Sequence, residues 1–218
     1  MSIIRFILFV LLALLLVSVP LLEVSSYPFR WLETYFHEVS HGLVSVLTGG
    51  KVVNITLEWN GAGRCNYISD HPTLVLFFGY AGATIWGALI YSGALGSVRI
   101  AHRIALVVLL LLVSTGILWI HPEPKSILIL LAMTSIIFFP LWFVQYKVVQ
   151  HLVQFIGIFV MVNTIRSVMK LFSIRDHGDH KRLEALTGVP VDVWTWSWLV
   201  FSLIVMMTLW YMTYVRSR

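Results

Sequence analysis

The sequence predicts an all-α polytopic membrane protein of about six or seven transmembrane helices, with a short β-hairpin after the second hydrophobic run. Composition is the first observation behind this: 59% of the 218 residues are hydrophobic, 11% are charged, and mean hydropathy is +0.88. A water-soluble domain of this size has no core large enough to hide so much apolar surface. Spacing is the second. Hydrophobic runs cover 3–22, 28–48, 72–96, 102–120, 126–144, 148–171 and 192–214, each near the ~20 residues that a helix needs to cross a bilayer. The third is local: between the second and third runs the chain turns to partial period-two alternation broken by glycines, the pattern of short paired strands.

The elements follow in order. In the first run Arg5 precedes an apolar stretch from Ile7 to Val19, and Ser25-Ser26 supply small residues beyond it, a layout shared with secretory signals. Continuation through Pro20-Leu21-Leu22 favours a retained anchor over residues 1–22; cleavage would leave six spans. In the second run Thr34, His37, His41, Ser45 and Thr48 recur in steps of three and four, so on a helix they form one polar stripe. Lipid cannot solvate such a stripe, which must face protein or a wet cavity. Gly49-Gly50 is suited to end that helix. Lys51 to Trp59, a turn at Asn60-Gly61-Ala62-Gly63 and Arg64 to Ile68 then form the hairpin, either as a linker or as an edge strand for an extended peptide. Gly79, Ala83 and Gly87 give the third span a small-xxx-small packing face, with Tyr80 and Thr84 as possible polar neighbours.

Later spans carry fewer signals. Gln150, His151, Gln154 and Asn163 make the sixth run polar on one side, and Asn163 is deep enough to donate to a substrate carbonyl or to another helix. Trp194, Trp196 and Trp198 suggest an interfacial belt at the start of the last span. His71, His102, His121 and His151 lie near span ends or in loops, where packing and interfacial roles are common. Basic residues cluster at 99–103 and 166–182; three spans separate loops 97–101 and 172–191, so these fall on opposite faces. The net charge of +5 fits membrane-surface charge, and no interleaving of basic and aromatic residues points to nucleic acid. A lone cysteine, Cys65, excludes an intrachain disulfide framework and a Cys-rich metal site. The chain is expected to form a single integral membrane domain over 1–218: a core over 28–171, a polar loop over 172–191 and the last span at 192–214.

Chemistry concentrates in Phe36-His37-Glu38-Val39-Ser40-His41-Gly42. Two histidines four apart on a helix point the same way. That spacing lets both imidazoles bind one Zn²⁺ and leaves Glu38 beside the metal, placed to take a proton from bound water. With eight His in the chain, an HExxH pattern is expected by chance only about 0.008 times. An ionisable group at mid-bilayer depth costs about 2.5 to 3.5 kcal/mol, so three of them need a purpose or a partner. Glu33, one turn before His37, is placed to orient an imidazole, or else lies nearer the interface with no chemical role.

The order of HExxH with Gly42, then Thr48-Gly49-Gly50, a hairpin strand and Gly79-Tyr80-Ala81-Gly82 resembles the site-2-protease type of intramembrane zinc metallopeptidase, especially its small B-type bacterial and plant branch. A later segment of that branch, Ser-Asp-Ala followed by Leu-Thr-Gly-Ile-Pro, is matched here by Gly178-Asp179-His180 and Leu186-Thr187-Gly188-Val189-Pro190. The resemblance covers about residues 30 to 200. It implies a buried zinc, hydrolysis of peptide bonds in membrane-protein or peptide substrates, and residence in a lipid bilayer, by default the bacterial cytoplasmic membrane.

A catalytic zinc takes three protein ligands plus water. By resemblance the third ligand is an aspartate from a later helix, often within Leu-Asp-Gly, but this chain has no Asp-Gly. Asp179 is the nearest match, with Asp176, His177 and His180 as local rivals; Asp179 is also suited to cap a short helix from His180 to Thr187 that Gly188 ends. Tyr67 and Asn163 are weak substrate-binding candidates, and the sequence names no specific substrate or oligomeric state. A non-proteolytic zinc protein, whether structural, partner-binding or a transporter, is the alternative.

Overall fold

In a bilayer every backbone N–H and C=O must find its partner within the chain, so each apolar run folds as a helix. The computed structural model describes residues 3–218, so the first two residues of the anchor segment lie outside the described ones. Among the described residues the elements are α1 (Ile3–Ser18), α2 (Glu23–Leu47), β1 (Lys51–Leu57), β2 (Gly63–Ile68), α3 (Pro72–Ala94), α4 (Val98–Trp119), α5 (Pro124–Phe143), α6 (Tyr146–Leu171), α7 (Asp179–Thr187) and α8 (Val191–Ser217). Among these, α3, α4, α5, α6 and α8 are long and apolar enough to cross a membrane. The 25-residue α2 has spanning length but carries the polar stripe. The 16 residues of α1 extend roughly 24 Å at the usual helical rise. Large apolar side chains such as Ile117, Leu118, Phe143 and Met207 project outward from the bundle, where lipid is their solvent. The protein is therefore an integral membrane protein.

The ends of the helices follow from local chemistry. Pro72 and Pro124 open α3 and α5, where a missing N–H costs nothing. The Ser97 hydroxyl accepts from the Ile100 N–H to cap α4. At the end of α3 the carbonyl of Ala94 accepts from Gln150 and Gln154, at 3.0 and 2.8 Å. These two glutamines thus serve a helix terminus, and they fix α3 antiparallel to α6. The basic turn before α4 consequently lies at the opposite end of α6 from Arg166 and Lys170, as the loop count predicts.

The centre of the bundle is α6, which packs against α1, α2, α3, α4, α5 and α8. Every residue from Val153 to Thr164 is buried. Its closest approach is to α3: a Cβ on Gly157 would stand 2.6 Å from the Tyr91 nitrogen and 2.8 Å from the Gly87 carbonyl. Backbone lies on both sides, so the contact cannot yield by a rotamer change. Gly157→Ala is expected to lower stability by about 1–3 kcal/mol, read as a drop in Tm in detergent, whereas Ile117→Ala on the outer face leaves Tm nearly unchanged.

The hairpin is antiparallel, pairing Lys51 with Ile68, Ile55 with Cys65 and Leu57 with Gly63, with an irregularity between Val52 and Asn54. The outer edge of β1 is covered. Ile55 bridges to Ile120 and accepts from the His121 N–H at 2.8 Å, and the Leu57 N–H donates to Ser126 Oγ at 2.9 Å. Since Ile55 and Leu57 aim their main-chain groups away from β2, their partners Cys65 and Gly63 aim theirs away from β1. That second edge of β2 faces α2.

Within 172–191 the short helix read from the sequence forms as α7, where Leu183 packs with Leu76, Val168, Leu171 and Trp198. One sequence expectation changes. Trp198 is not part of an interfacial belt, being fully buried with its indole N–H donating to the Phe77 carbonyl at 2.8 Å. Only Trp196 of the three is well exposed. A period-two run of tryptophans at a span end invites the belt reading, because the contact that buries Trp198 comes from a helix 121 positions away.

Candidate metal centre

The polar stripe of α2 faces the hairpin, and its members divide the work. Thr34 Oγ1 donates to the Gly61 carbonyl at the turn (2.6 Å), and Ser45 Oγ donates to the Ile68 carbonyl at the base (3.2 Å). Between these two fastenings lie His37 and His41. Thr48, the last member, turns back to the Val44 carbonyl at 2.8 Å.

Asp179 is the first residue of α7 rather than its cap. Gly178 precedes it at φ +100°, a conformation open to glycine and strained for other residues, and this turns the Asp179 carboxylate toward α2. The His180 Nε2–H donates to the Ile174 carbonyl at 2.6 Å and holds the start of α7 in place. Gly188, in the left-handed conformation, ends the helix. The rivals do not join the two motif histidines: Asp176 and His177 are exposed and bond to each other at 2.7 Å, and His180, whose Nε2 is held by Ile174, lies outside the close donor group.

Three donor atoms converge. His37 Nε2 and Asp179 Oδ2 are 3.0 Å apart, His41 Nε2 and Asp179 Oδ2 3.3 Å, and the two Nε2 atoms 3.0 Å. Ligands at 2.0–2.1 Å from a tetrahedral zinc are separated by about 3.3 Å, so the triangle has the size of one face of a zinc site. The donor chemistry fits as well. His41 Nδ1 lies 2.8 Å from the Val75 carbonyl, so Nδ1 carries the proton and the neutral ring turns the lone pair of Nε2 into the triangle. Among the described residues, this is the group of three His, Cys, Asp or Glu side chains whose donor atoms lie close enough for one metal ion. The four other histidines named from the sequence take no part.

Rings and strand backbone shape the surroundings. Tyr80 meets His37 edge to face at 4.4 Å and is backed by Trp198 at 4.9 Å, while Tyr67 stacks on His41 at 6.3 Å. Glu38 is buried, receives the Cys65 backbone N–H, and packs where a Cβ on Gly63 would come within 2.9 Å of it. Glu33 is also buried and accepts from Asn163 Nδ2 at 2.8 Å. Asn163 Oδ1 is buried without a hydrogen-bond partner. Thr84 bonds instead to Ser202 at 2.8 Å, away from the histidines. A cavity of about 730 Å³ opens over the triangle, lined by the motif side chains, Gly63, Cys65, Tyr67, Tyr80 and Asn163 among others.

Cys65 is buried among these groups, and burial, followed by the nearby Glu38 and Asp179 carboxylates, pushes its thiol upward from the usual range. A neutral thiol is a poor nucleophile. Alkylation by N-ethylmaleimide at pH 7.5 is therefore expected to be at least about 100-fold slower in folded protein than after denaturation, followed by mass spectrometry.

Helices that span the membrane and a His-His-carboxylate triangle under an open cavity together define a membrane protein with a candidate catalytic metal site. The Peptidase M50B-like family model matches residues 6–209, and the chain belongs to that family, the site-2 protease family. No curated protein and no solved structure matches the chain. Family membership suggests an intramembrane metallopeptidase and, with it, dependence on zinc.

Proposed function

We propose that the protein is an intramembrane zinc metallopeptidase in which His37, His41 and Asp179 hold one Zn²⁺ and Glu38 acts as general base on membrane-associated protein substrates. The observation that carries this reading is the triangle of 3.0 to 3.3 Å between donors from α2 and α7, 142 residues apart in sequence. Zinc held there supplies a Lewis acid that brings the acidity of a water molecule near neutral pH. The Glu38 carboxylate, kept in place by the Cys65 N–H, takes up a proton and delivers it to the leaving amine nitrogen. The Val75 carbonyl keeps the His41 ring in the tautomer that binds.

Substrate docking follows from the hairpin. With its Cys65 N–H held by Glu38, the edge of β2 turned away from β1 offers its remaining main-chain groups, the Cys65 carbonyl among them, to an extended peptide, so a helical substrate unwinds locally before its carbonyl reaches the triangle. Tyr67 lines the approach, while the amide nitrogen of Asn163 donates to Glu33 on α2. Structural zinc sites are closed by four protein ligands; three converging donors beneath a cavity favour catalysis over that alternative. The family likeness suggests a bacterial cytoplasmic membrane as the location.

The test is metal content and cleavage in one preparation. Detergent-purified protein is expected to carry one zinc per chain by mass spectrometry, to cleave a membrane-derived peptide, to lose cleavage with 1,10-phenanthroline and to regain it with one equivalent of zinc. Folded protein that takes up no zinc on reconstitution would overturn the reading.

A further inference from the structure

Tyr80 follows directly on Gly79, the residue whose missing side chain leaves room for both motif histidines. Leu76 and Tyr80, one helical turn apart, line the cavity from α3. The Tyr80 ring is clamped. His37 meets it edge to face at 4.4 Å, and Trp198 packs on it with ring centres 4.9 Å apart. Trp198 is itself fixed, being fully buried with its indole N–H on the Phe77 carbonyl, one turn before Tyr80. The side chain therefore has a set place beside the triangle.

The hydroxyl on this ring is unengaged. Two other tyrosines between the helices spend theirs on the protein, Tyr35 on Thr115 and Tyr91 on Thr213. Among the described residues the Tyr80 hydroxyl bonds to nothing, yet it is not sealed away as Asn163 Oδ1 is, so it opens into the cavity. Also among the described residues, the charges that act on its oxygen are the carboxylates of Asp179, Glu33 and Glu38. Two neighbouring donors are already taken, Thr34 by the Gly61 carbonyl and the Asn163 amide nitrogen by Glu33. The Tyr67 ring lies farther from the histidines, 6.3 Å from His41. A phenol, with an ordinary pKa of about 10, keeps its proton at neutral pH. Tyr80 thus holds a standing O–H donor beside the donor triangle, and no protein acceptor uses it.

We propose that the Tyr80 hydroxyl donates a hydrogen bond to the scissile carbonyl oxygen as that oxygen gains negative charge, which makes Tyr80 a further catalytic residue of the site. When the water oxygen bonds to the carbonyl carbon, the π pair moves onto the carbonyl oxygen and a water proton passes to Glu38. When the C–N bond breaks, that pair returns to form the acid carbonyl and Glu38 gives its proton to the amine. Tyr80 transfers no proton in either step; its contact tightens in the tetrahedral adduct and relaxes afterwards. A donor held in place before the reaction needs no reorganisation during it. The inference rests on the peptidase reading and adds a residue to that site.

Tyr80→Phe removes only the hydroxyl and keeps the ring between His37 and Trp198, so zinc content and Tm are expected to match the wild type. With a membrane-derived peptide kcat is expected to fall about 100-fold, while KM changes by less than about threefold. A phosphinic peptide of the same sequence, tetrahedral at the scissile position and resistant to hydrolysis, reads the contact without turnover. Its affinity is expected to fall with Tyr80→Phe by about the same factor as kcat/KM, whereas the uncleaved peptide binds zinc-loaded Glu38→Gln equally well with and without Tyr80→Phe. Undiminished kcat in zinc-loaded Tyr80→Phe overturns the inference and leaves the peptidase reading intact. Loss of zinc from folded Tyr80→Phe overturns it too, because the hydroxyl would then serve the metal site, as does a rise in KM alone, the mark of a ground-state contact. Zinc-loaded wild type that cleaves no peptide counts against the peptidase reading; the phosphinic series then decides the inference, and equal affinity in wild type and Tyr80→Phe overturns it.

Discussion

Glu38→Gln is expected to keep one zinc per chain and to turn over peptide about 10²–10⁴-fold more slowly than the wild type. The substitution preserves shape, and the amide oxygen still accepts the Cys65 N–H, so the buried side chain keeps its place. What disappears is the capacity to take up a proton. The triangle does not depend on Glu38, because its three contacts run only among His37, His41 and Asp179. Single-turnover cleavage alongside metal analysis reads both quantities. Undiminished turnover would remove Glu38 from the mechanism, and loss of zinc would make it a ligand instead of a base.

Gly79→Ala is expected to empty the metal site without altering any ligand. A Cβ there would stand 2.5 Å from His41 Cε1, 2.6 Å from His37 Cε1 and 2.7 Å from His37 Nε2, where carbon atoms normally keep about 3.5–4.0 Å. Both rings would have to turn away, and His41 would lose its bond to the Val75 carbonyl. Zinc content should fall to below about a tenth of wild type, given the strict ligand geometry of such sites. Gly93→Ala is the control, since its methyl would meet only the flexible Ile104 side chain, and it should bind zinc normally. Stoichiometric zinc in folded Gly79→Ala would show that the metal binds elsewhere.

Much of the architecture was legible because lipid imposes one rule, and apolar runs of the right length obey it. The hairpin was legible through Gly49-Gly50 and the turn at Asn60 to Gly63. The motif histidines announced themselves by spacing, while the place of Asp179 beside them came only from a weak segment match. The missed parts depend on contacts between helices far apart in sequence. Gly79 carried the same small-residue signal as Gly87, yet Gly87 meets α6 and Gly79 makes room for two imidazoles. Trp198 shared its signal with Trp196 and only the fold separates them. Glu33 and Asn163 were each visible as polar groups in apolar runs, but nothing local says that they are each other's partner across 130 positions.

The hairpin is fastened to α2 on both sides of the histidines, by Thr34 at its turn and Ser45 at its base. Strand edge and metal ligands thus share one rigid frame, and the frame acts as a ruler. Under the proposed docking, a paired peptide presents alternate residues toward the site, and sliding by one residue would turn its other face inward. Permitted registers then differ by two residues. A peptide of uniform sequence should be cut as a ladder with a two-residue interval, which makes cleavage phase, and not side-chain identity, the signature of this hairpin.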